Sequence, residues 1–326
     1  KGKNKELDSK TEKIKISPIY HADDNLKTYN INFPRSWEIY QLIDATDATE
    51  GNKRALSALN NDVSGLCFSN PNNLELLLKN ISIQHIRIDF KNYSTNFPEK
   101  WEKFSSKKTV QGAFHGITNH NIPNYLNTIY SSGTAKEQIT NALKKGLKTH
   151  NNIQFHFKIG SNYFLEIAKL KAFRILWKHS TGKDAYIFTS TGEANKEEEF
   201  PYNNILRSTT ECMSAIFGGA NAILLNSYNS TYENATEFSE RIARNQQIIL
   251  RKESYLDKVE DPTKGAYYID YLIEELLKEF NIKSNITTPQ ATTKWESPEG
   301  INIKNRYNEN DISEIEHINF VAGIAP

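Results

Sequence analysis

The chain of 326 residues is nearly neutral, because 40 lysine and arginine residues balance 39 aspartate and glutamate residues to a formal net charge of +1. No overall electrostatic field therefore favours nucleic acid or a membrane surface as its main partner. With 2 cysteines, the composition also disfavours a disulfide framework and a cysteine-rich metal site, so Cys67 and Cys212 are predicted to be small buried side chains.

The sequence shows no signal for membrane insertion or export. No apolar run approaches the roughly 20 residues that a membrane-spanning helix requires. The lysine-rich residues 1–15 also lack the apolar segment of a signal peptide. The prediction is a cytoplasmic protein that binds neither membrane nor nucleic acid.

Short β-rich runs alternate with helical patterns over most of the chain, which is typical of βα units that close a parallel sheet. There are eight candidate strands, the number in a (β/α)8 barrel, and one such barrel fits a chain of this length. The predicted fold class is therefore α/β, a (β/α)8 TIM-type barrel. The candidate strands are residues 37–43, 65–69, 85–90, 110–115, 125–130, 153–158, 185–190 and 222–228.

Helical periodicity separates these strands. In residues 162–178, apolar side chains recur at three- and four-residue spacing while Glu166, Lys169 and Lys171 fall on other faces. This pattern predicts an outer-ring helix that packs on the sheet. The other predicted helices are residues 52–60, 74–79, 135–147, 202–217, 237–250 and 267–280.

Extended arms flank the predicted barrel. Residues 1–34 are predicted to be a polar tail with an N-terminal arm, residues 35–280 the barrel, and residues 281–326 a linker with a C-terminal arm. The two arms share a short repeat, in which isoleucine, tyrosine and aspartate recur at identical offsets. The repeated residues are Ile16, Tyr20 and Asp24 in the first arm and Ile303, Tyr307 and Asp311 in the second.

Five sequence blocks follow one another in a distinctive order. They are residues 153–177, Pro-Tyr-Asn-Asn-Ile-Leu-Arg-Ser-Thr-Thr-Glu at 201–211, Phe-Gly-Gly-Ala at 217–220, Arg-Ile-Ala-Arg-Asn at 241–245 and Asp-Pro-Thr-Lys-Gly-Ala-Tyr-Tyr at 261–268. This set resembles the acyl-CoA barrel of methylmalonyl-CoA mutase, and it is most similar to the small, non-catalytic subunit of the two-chain bacterial enzymes. Residues 295–326 resemble instead the N-terminal arm of a catalytic mutase chain.

Three features of catalytic mutase chains are missing, so the resemblance implies no catalytic residue here. Residues 35–42 resemble Arg-Pro-Trp-Thr-Ile-Arg-Gln-Tyr, whose tyrosine lies beside the reacting substrate in catalytic chains, but this chain has Leu42, which cannot donate a hydrogen bond. Residues 186–192 lack the histidine of the His-Ser-Gln-Thr-Ser-Gly segment, which hydrogen-bonds the thioester carbonyl. The Asp-x-His-x-x-Gly loop, whose histidine ligates cobalt, is absent too, which implies that this chain binds no cofactor.

The histidines do not predict a metal site. His115 and His120 lie near a predicted strand end without a cysteine or carboxylate at ligand spacing, so they are interpreted as barrel residues and not as zinc ligands. His156 stands between Phe155 and Phe157 in a predicted strand. It is therefore expected to face the opposite side of the sheet from both.

Three arginines are the candidate substrate-binding residues. Arg207, Arg241 and Arg244 fall within the blocks that resemble the mutase barrel. Arginines near strand ends could hold the phosphates of a CoA nucleotide. The alternative is a structural role as a salt bridge or a helix anchor, and the sequence leaves both open.

The resemblance implies a non-catalytic subunit, inactive alone, in a heterodimer with a large catalytic chain. That partner would hold adenosylcobalamin and interconvert succinyl-CoA and methylmalonyl-CoA. Tyrosines and tryptophan in or beside the arms agree with a large interface, since these residues are favoured there. The alternatives are a catalytic acyl-CoA mutase subunit that works with a separate cobalamin-binding polypeptide, and a fragment without function.

Overall fold

A β-hairpin precedes a closed parallel barrel. The computed structural model describes residues 9–24, 26–27, 29, 31–118, 120, 122–149, 152–280, 282, 293–307, 309–313 and 315. Strands β1 (Ser9–Thr11) and β2 (Ile14–Ile16) pair antiparallel. Eight parallel strands then close the barrel in chain order, with the last paired to the first. They are β3 (Glu38–Asp44), β4 (Gly65–Ser69), β5 (Arg87–Lys91), β6 (Gln111–Phe114), β7 (Tyr125–Tyr130), β8 (Ile153–Ile159), β9 (Ile187–Thr191) and β10 (Ala222–Leu224).

All eight predicted barrel strands are present, and the predicted (β/α)8 fold is confirmed. Strands of a parallel barrel are buried on both faces, and β4 and β9 accordingly contain no exposed residue. Strand β10 ends at Leu224 and not at the predicted residue 228, because the following residues leave the sheet for a loop. Cys67 and Cys212 are buried and unbridged, as predicted.

Helices surround the barrel, and one of them was not predicted. Helix α3 places Phe97, Trp101 and Phe104 at helical spacing, and it carries a proline in its first turn, where the missing N–H is not needed. It escaped prediction because its apolar pattern extends over barely two turns. The helices are α1 (Ala48–Leu59), α2 (Leu74–Leu77), α3 (Phe97–Ser105), α4 (Ala135–Lys148), α5 (Tyr163–Thr181), α6 (Asn203–Phe217), α7 (Glu237–Lys252) and α8 (Tyr267–Leu277).

Helix α5 packs on the sheet, as predicted for an outer-ring helix, but it is also buried on nearly every other side. Helices α4, α6 and α8 all pack on it. Lys169 and Lys171 are therefore only 0% and 1% exposed. Each is paired: Lys169 Nζ lies 2.5 Å from Glu166 Oε2, and Lys171 Nζ lies 2.5 Å from Asp261 Oδ1. The periodicity of α5 could not reveal this, because the covering helix comes a hundred residues later in the chain.

Alternate residues of the barrel strands divide between the axis and the helix layer. In β8, Phe155 and Phe157 pack against Phe173 of α5, with ring centroids 4.6 Å and 5.0 Å apart. His156, between them, packs on Phe188 on the axis side. The predicted orientation of His156 is therefore confirmed.

Both ends of the described chain form hairpin arms. Strands β11 (Lys294–Glu296) and β12 (Asn302–Lys304) pair antiparallel, like β1 and β2. Each hairpin is followed by a 3-10 turn, at Ala22–Asp24 and at Glu309–Ile312. The predicted domain boundaries stay predictions, and residues 1–8 of the tail, 283–292 of the linker and 316–326 of the C-terminal arm lie outside the described residues.

Candidate functional site

Phe188 stands at the centre of the barrel axis. Its ring is fully buried and lies 5.0 Å from the ring of Tyr40, 5.2 Å from that of His115 and 5.2 Å from that of His156, each edge-on. Leu42 packs against the same cluster. These side chains come from different strands and meet on the axis, so the described part of the barrel interior is filled with bulky groups.

The buried carboxylate of Asp89 gathers hydrogen bonds within this interior. Tyr40 Oη donates to Asp89 Oδ1 at 3.0 Å, and Gln154 Nε2 donates to Oδ2 at 3.0 Å. His115 Nε2 also lies 3.0 Å from Oδ2. Arg87 Nε donates to Tyr40 Oη at 3.1 Å, which extends the network toward the other end of the barrel. A carboxylate that is 0% exposed is tolerated because several donors compensate for its lost hydration.

The pKa values of the two axial histidines shift in opposite directions. Burial alone would lower the pKa of His115, but Cys67 and Asp89 beside its ring outweigh burial and hold the pKa well above its usual value, which favours the imidazolium form. His115 Nδ1 lies 2.5 Å from Tyr130 Oη. Burial and the charge of His115 hold the pKa of His156 well below its usual value, so His156 is neutral.

His156 and Ser190 form a hydrogen-bonded pair, with His156 Nε2 2.8 Å from Ser190 Oγ. A neutral imidazole beside a hydroxyl has the composition of a base and nucleophile pair. Among the described residues, however, His156 Nδ1 has no hydrogen-bond partner that would orient the ring. His156 and Ser190 are also only 7% and 6% exposed. The pair therefore fits a packing role better than a catalytic one.

Residues from different strands surround His115, and sequence spacing could not reveal them. Cys67 Sγ lies 3.9 Å from His115 Nε2, and Asp89 is a direct partner. His120 does not join them, because its ring packs on Phe114. Within the described ranges, no group of three or more histidine, cysteine, aspartate or glutamate side chains is arranged to hold a metal ion.

A polar pocket of about 370 Å³ lies beside the barrel mouth, between β3, the loop after β10, and α7. Arg244 Nη1 donates to Gln41 Oε1 at 3.0 Å, and Gln41 Nε2 donates to Glu240 Oε2 at 3.1 Å. Arg54 forms an ion pair with Glu240. Helix α7 begins at a capping box with Thr236. Glu240 and Arg244 follow in this helix four residues apart, so they lie one turn apart on the same face.

The pocket lining carries no excess of positive charge, because its two arginines face three carboxylates. Burial raises the pKa of Glu240, although the charge of Arg54 opposes this. Burial likewise lowers the pKa of Arg244, which Glu240 counteracts. A polyphosphate would compete with carboxylates already in place. The charged lining residues are Arg54, Arg244, Asp44, Glu233 and Glu240.

The three arginines predicted to bind substrate do not line one site. Arg244 lines the pocket and is 7% exposed. Arg207 pairs instead with Glu197 at 2.7 Å. The guanidinium of Arg241 lies 5.3 Å from the ring centroid of Phe238. These contacts match the structural role that the sequence left open, and substrate binding by the three residues stays a prediction.

The fold and this site define a class: a (β/α)8 barrel with bulky side chains on its axis and a polar pocket with paired charges beside its mouth. Within the described residues, no helix is both long enough and apolar enough to cross a membrane.

Comparison with known proteins finds similarity to one family over part of the chain. The family model for methylmalonyl-CoA mutase matches residues 129–286, which confirms the resemblance. The methylmalonyl-CoA mutase small subunit of Porphyromonas gingivalis is 40% identical over 153 residues, covering 44% of this chain and 25% of that protein. The methylmalonyl-CoA mutase of Rhizobium meliloti is 38% identical over 159 residues, covering 45% and 22%. The similarity to the methylmalonyl-CoA mutase family therefore covers residues 129–286, just under half of this chain.

The matched stretch is a minor part of these relatives. The methylmalonyl-CoA mutase of Escherichia coli is 35% identical over 155 residues, which are 44% of this chain and 22% of that protein. The matched stretch therefore spans at most about a quarter of the length of these relatives. Such a partial match does not by itself assign their activity or partners to this chain. A solved dihydropteroate synthetase, with a TM-score of 0.39, 7% identity and coverage of 74% of this chain and 97% of that chain, is too distant to support an argument.

Proposed function

We propose that this chain is a non-catalytic subunit of an adenosylcobalamin-dependent methylmalonyl-CoA mutase. A large catalytic chain would be its partner in a heterodimer and would carry the interconversion of succinyl-CoA and methylmalonyl-CoA. The observation that carries the proposal is the filled barrel axis around Phe188.

An acyl-CoA thioester that entered along the axis would need space for its pantetheine arm. That space is taken by Phe188 and by three rings with centroids 5.0 to 5.2 Å away. Tyr40, one of these, is anchored because its hydroxyl bonds both Asp89 and Arg87. Opening the axis would break this buried network, and a buried polar group without a partner costs about 1–3 kcal/mol.

The side chains at the mouth also lack the groups that the reaction would need. Leu42 stands among the axial residues where the related catalytic block has a tyrosine. The two histidines at the mouth do not fit a cobalt ligand, because both ring nitrogens of His115 are bonded and His156 is 7% exposed with Nε2 on Ser190. Neither histidine would therefore hold the cobalt of a cobalamin in this chain.

The proposed role of this subunit is to bind and stabilise the catalytic chain. A partner that binds only the folded state raises the stability of that state by mass action. One relative is itself named a small subunit, which supports an assembly of unequal chains.

The test is a turnover assay with adenosylcobalamin and methylmalonyl-CoA, in which succinyl-CoA is measured. This chain, the large mutase chain of the same organism, and their mixture are assayed in parallel. We expect no turnover by this chain and a stable complex that is active through the large chain. Turnover by this chain with only a separate cobalamin-binding polypeptide would contradict the proposal and support the alternative, a catalytic acyl-CoA mutase subunit.

Calorimetric titration with methylmalonyl-CoA gives a second, independent readout. We expect no binding to the isolated chain, since its axis is filled. A thioester seen on the axis, in contact with this chain's own side chains, would contradict the proposal even without turnover.

A further inference from the structure

The sequence repeat in the two arms is also a structural repeat. In the first arm, the backbone N–H of Ser17 donates to Tyr20 Oη at 2.9 Å. In the second, the backbone N–H of Lys304 donates to Tyr307 Oη at 3.2 Å. The donor precedes the tyrosine by three residues in both arms, so each tyrosine folds back over its own strand in the same way.

Parts of the surrounding backbone repeat as well. The hairpin of β1 and β2 turns at Lys13, with φ of 72°, and the hairpin of β11 and β12 turns at Gly300, with φ of 77°. In each arm a 3-10 turn begins two residues after the repeated tyrosine, at Ala22 and at Glu309. We define residues 9–24 as the N-terminal hairpin arm and residues 293–307 with 309–313 as the C-terminal hairpin arm.

The N-terminal hairpin arm shows what such an arm recognises. The ring of Tyr20 lies 5.4 Å from that of Tyr268 and 4.7 Å from that of Tyr271, both on α8. Tyr271 Oη donates to the carbonyl of Lys15 at 2.7 Å, and Ile14 packs against the core. The receptor is therefore the outer face of a barrel helix that carries tyrosines three residues apart.

The C-terminal hairpin arm presents the same residues without such a receptor. Ile301, the counterpart of Ile14 at the repeat offset, is 60% exposed, and Tyr307 is 47% exposed. In the part of the chain that the structure describes, the ring of Tyr307 has no aromatic partner. Ile312, which follows in the 3-10 turn, is also 42% exposed. These exposed apolar and aromatic side chains are of the kind that interfaces favour.

The rest of this arm is fixed to its own barrel. The ring of Trp295 lies 5.0 Å from that of Tyr255, and Arg306 forms an ion pair with Glu260 at 2.5 Å. The backbone N–H of Glu260 donates to the carbonyl of Asn305 at 2.7 Å. The arm is thus held in a defined place while Ile301 and Tyr307 remain accessible.

We propose that the C-terminal hairpin arm docks Ile301 and Tyr307 on the helix equivalent to α8 of a second (β/α)8 barrel. That barrel is not the one described above, because α8 of this one is already covered by its own N-terminal hairpin arm. The proposal rests on the proposed function, since the large catalytic mutase chain would supply the second barrel.

The test compares two exposed apolar side chains of the repeated arms. The affinity of the full chain for the large mutase chain is measured by calorimetry for wild type, Tyr307→Ala and Tyr307→Phe, with Ile19→Ala as the control because Ile19 is 73% exposed on the other arm. A buried tyrosine anchor is worth about tenfold or more in affinity. We expect that loss for Tyr307→Ala, near wild-type binding for Tyr307→Phe, and no change for Ile19→Ala.

Each outcome separates the two proposals. If wild type binds the large chain and Tyr307→Ala binds equally well, the docking proposal is wrong while the proposed function stands. If wild type does not bind the large chain at all, the proposed function fails, and the docking proposal fails with it. A photo-crosslinking residue at position 307 should label the α8-equivalent helix of the large chain; labelling of a second copy of this chain would instead overturn the choice of partner.

Discussion

The barrel axis and helix α5 both bury charged side chains, but they satisfy these charges differently. On the axis, Asp89 is 0% exposed and shares donors from three other strands or their ends. On α5, Lys169 and Lys171 each pair with a carboxylate whose side chain is 12% or 11% exposed. Lys169 Nζ also donates to Gln138 Oε1 at 3.1 Å and to the carbonyl of Lys158 at 3.0 Å. The comparison shows that a fully buried charge can collect several partners in either region, and that the regions differ in whether the carboxylate keeps some access to water.

The largest expected effect is on the axis. Asp89→Ala leaves His115, Tyr40 and Gln154 without their shared acceptor, and removing one partner of a buried charged group costs about 3–5 kcal/mol. Urea unfolding monitored by circular dichroism measures this loss. The control is Asp62→Asn at the exposed pair with Lys252, which should stay within about 1 kcal/mol of wild type, because asparagine tolerates the positive φ of this position. Equal losses for both variants would refute the network interpretation.

The α5 pair should be less sensitive. Lys169→Met removes the ammonium but leaves Glu166 near solvent, so we expect a loss of about 2 kcal/mol in the free energy of unfolding. The double variant Lys169→Met with Glu166→Gln should recover at least half of it, because no unpaired charge remains. A loss as large as that of Asp89→Ala, without recovery in the double variant, would erase the distinction between the two regions.

The pH dependence of stability should differ between the regions. Burial, with some help from Asp89 and against Arg87, raises the pKa of Glu38 on the axis from 4.5 to about 7. The folded state thus holds this proton more tightly than the unfolded state. The stability it contributes is fully present below pH 4.5 and is lost as the pH rises to about 7.

Glu38→Gln should remove that part of the pH dependence, about 1 kcal/mol after solvent screening is considered. Asp270 on α8 is the comparison from the shell, because burial raises its pKa from 3.8 to about 6. Asp270→Asn should remove the pH dependence of the free energy of unfolding only between pH 3.8 and about 6. Unfolding curves between pH 4 and 8 measure both, and identical pH windows would contradict the assignment.

The smallest effect is expected at the mouth. Tyr130→Phe removes the hydroxyl that bonds His115 Nδ1, but Tyr130 is 40% exposed and water can replace the hydroxyl, so we expect a loss of about 0.5 kcal/mol. Thermal unfolding at neutral pH measures it. A loss beyond about 2 kcal/mol would show that this bond belongs to the deep network and not to its solvent edge.

Local patterns in the sequence were sufficient for most of the fold. The alternation of β-rich runs with helical periods located all eight barrel strands, because each strand is short, apolar and followed by a helix. Helix α3 was missed because its short pattern is diluted by lysines and glutamates. The orientation of His156 was predicted correctly, because successive side chains point to opposite faces along any strand.

The candidate site was much less predictable. The loss of a tyrosine at Leu42 could be seen in the sequence, but Asp89, Cys67 and Gln154 gave no signal of their own. Cys67 and Asp89 meet His115, and Gln154 meets Asp89, only when the strands of the closed barrel bring these side chains together inside it. The sequence also could not show that Arg207 pairs with Glu197 while Arg244 lines a pocket. Both contacts depend on which side chains the folded chain brings next to each arginine.

The sequence by itself determined the barrel, the orientation of alternating strand residues, the family resemblance and the repeated arms, because these depend on residue order over short distances. Only the tertiary structure decided that Phe188 and its neighbours fill the axis, that Lys169 and Lys171 of α5 are buried beside acidic partners, and that one of two matching arms keeps its tyrosine exposed. Those features arise from contacts between residues far apart in the chain, where burial and charge pairing depend on the whole assembled shape.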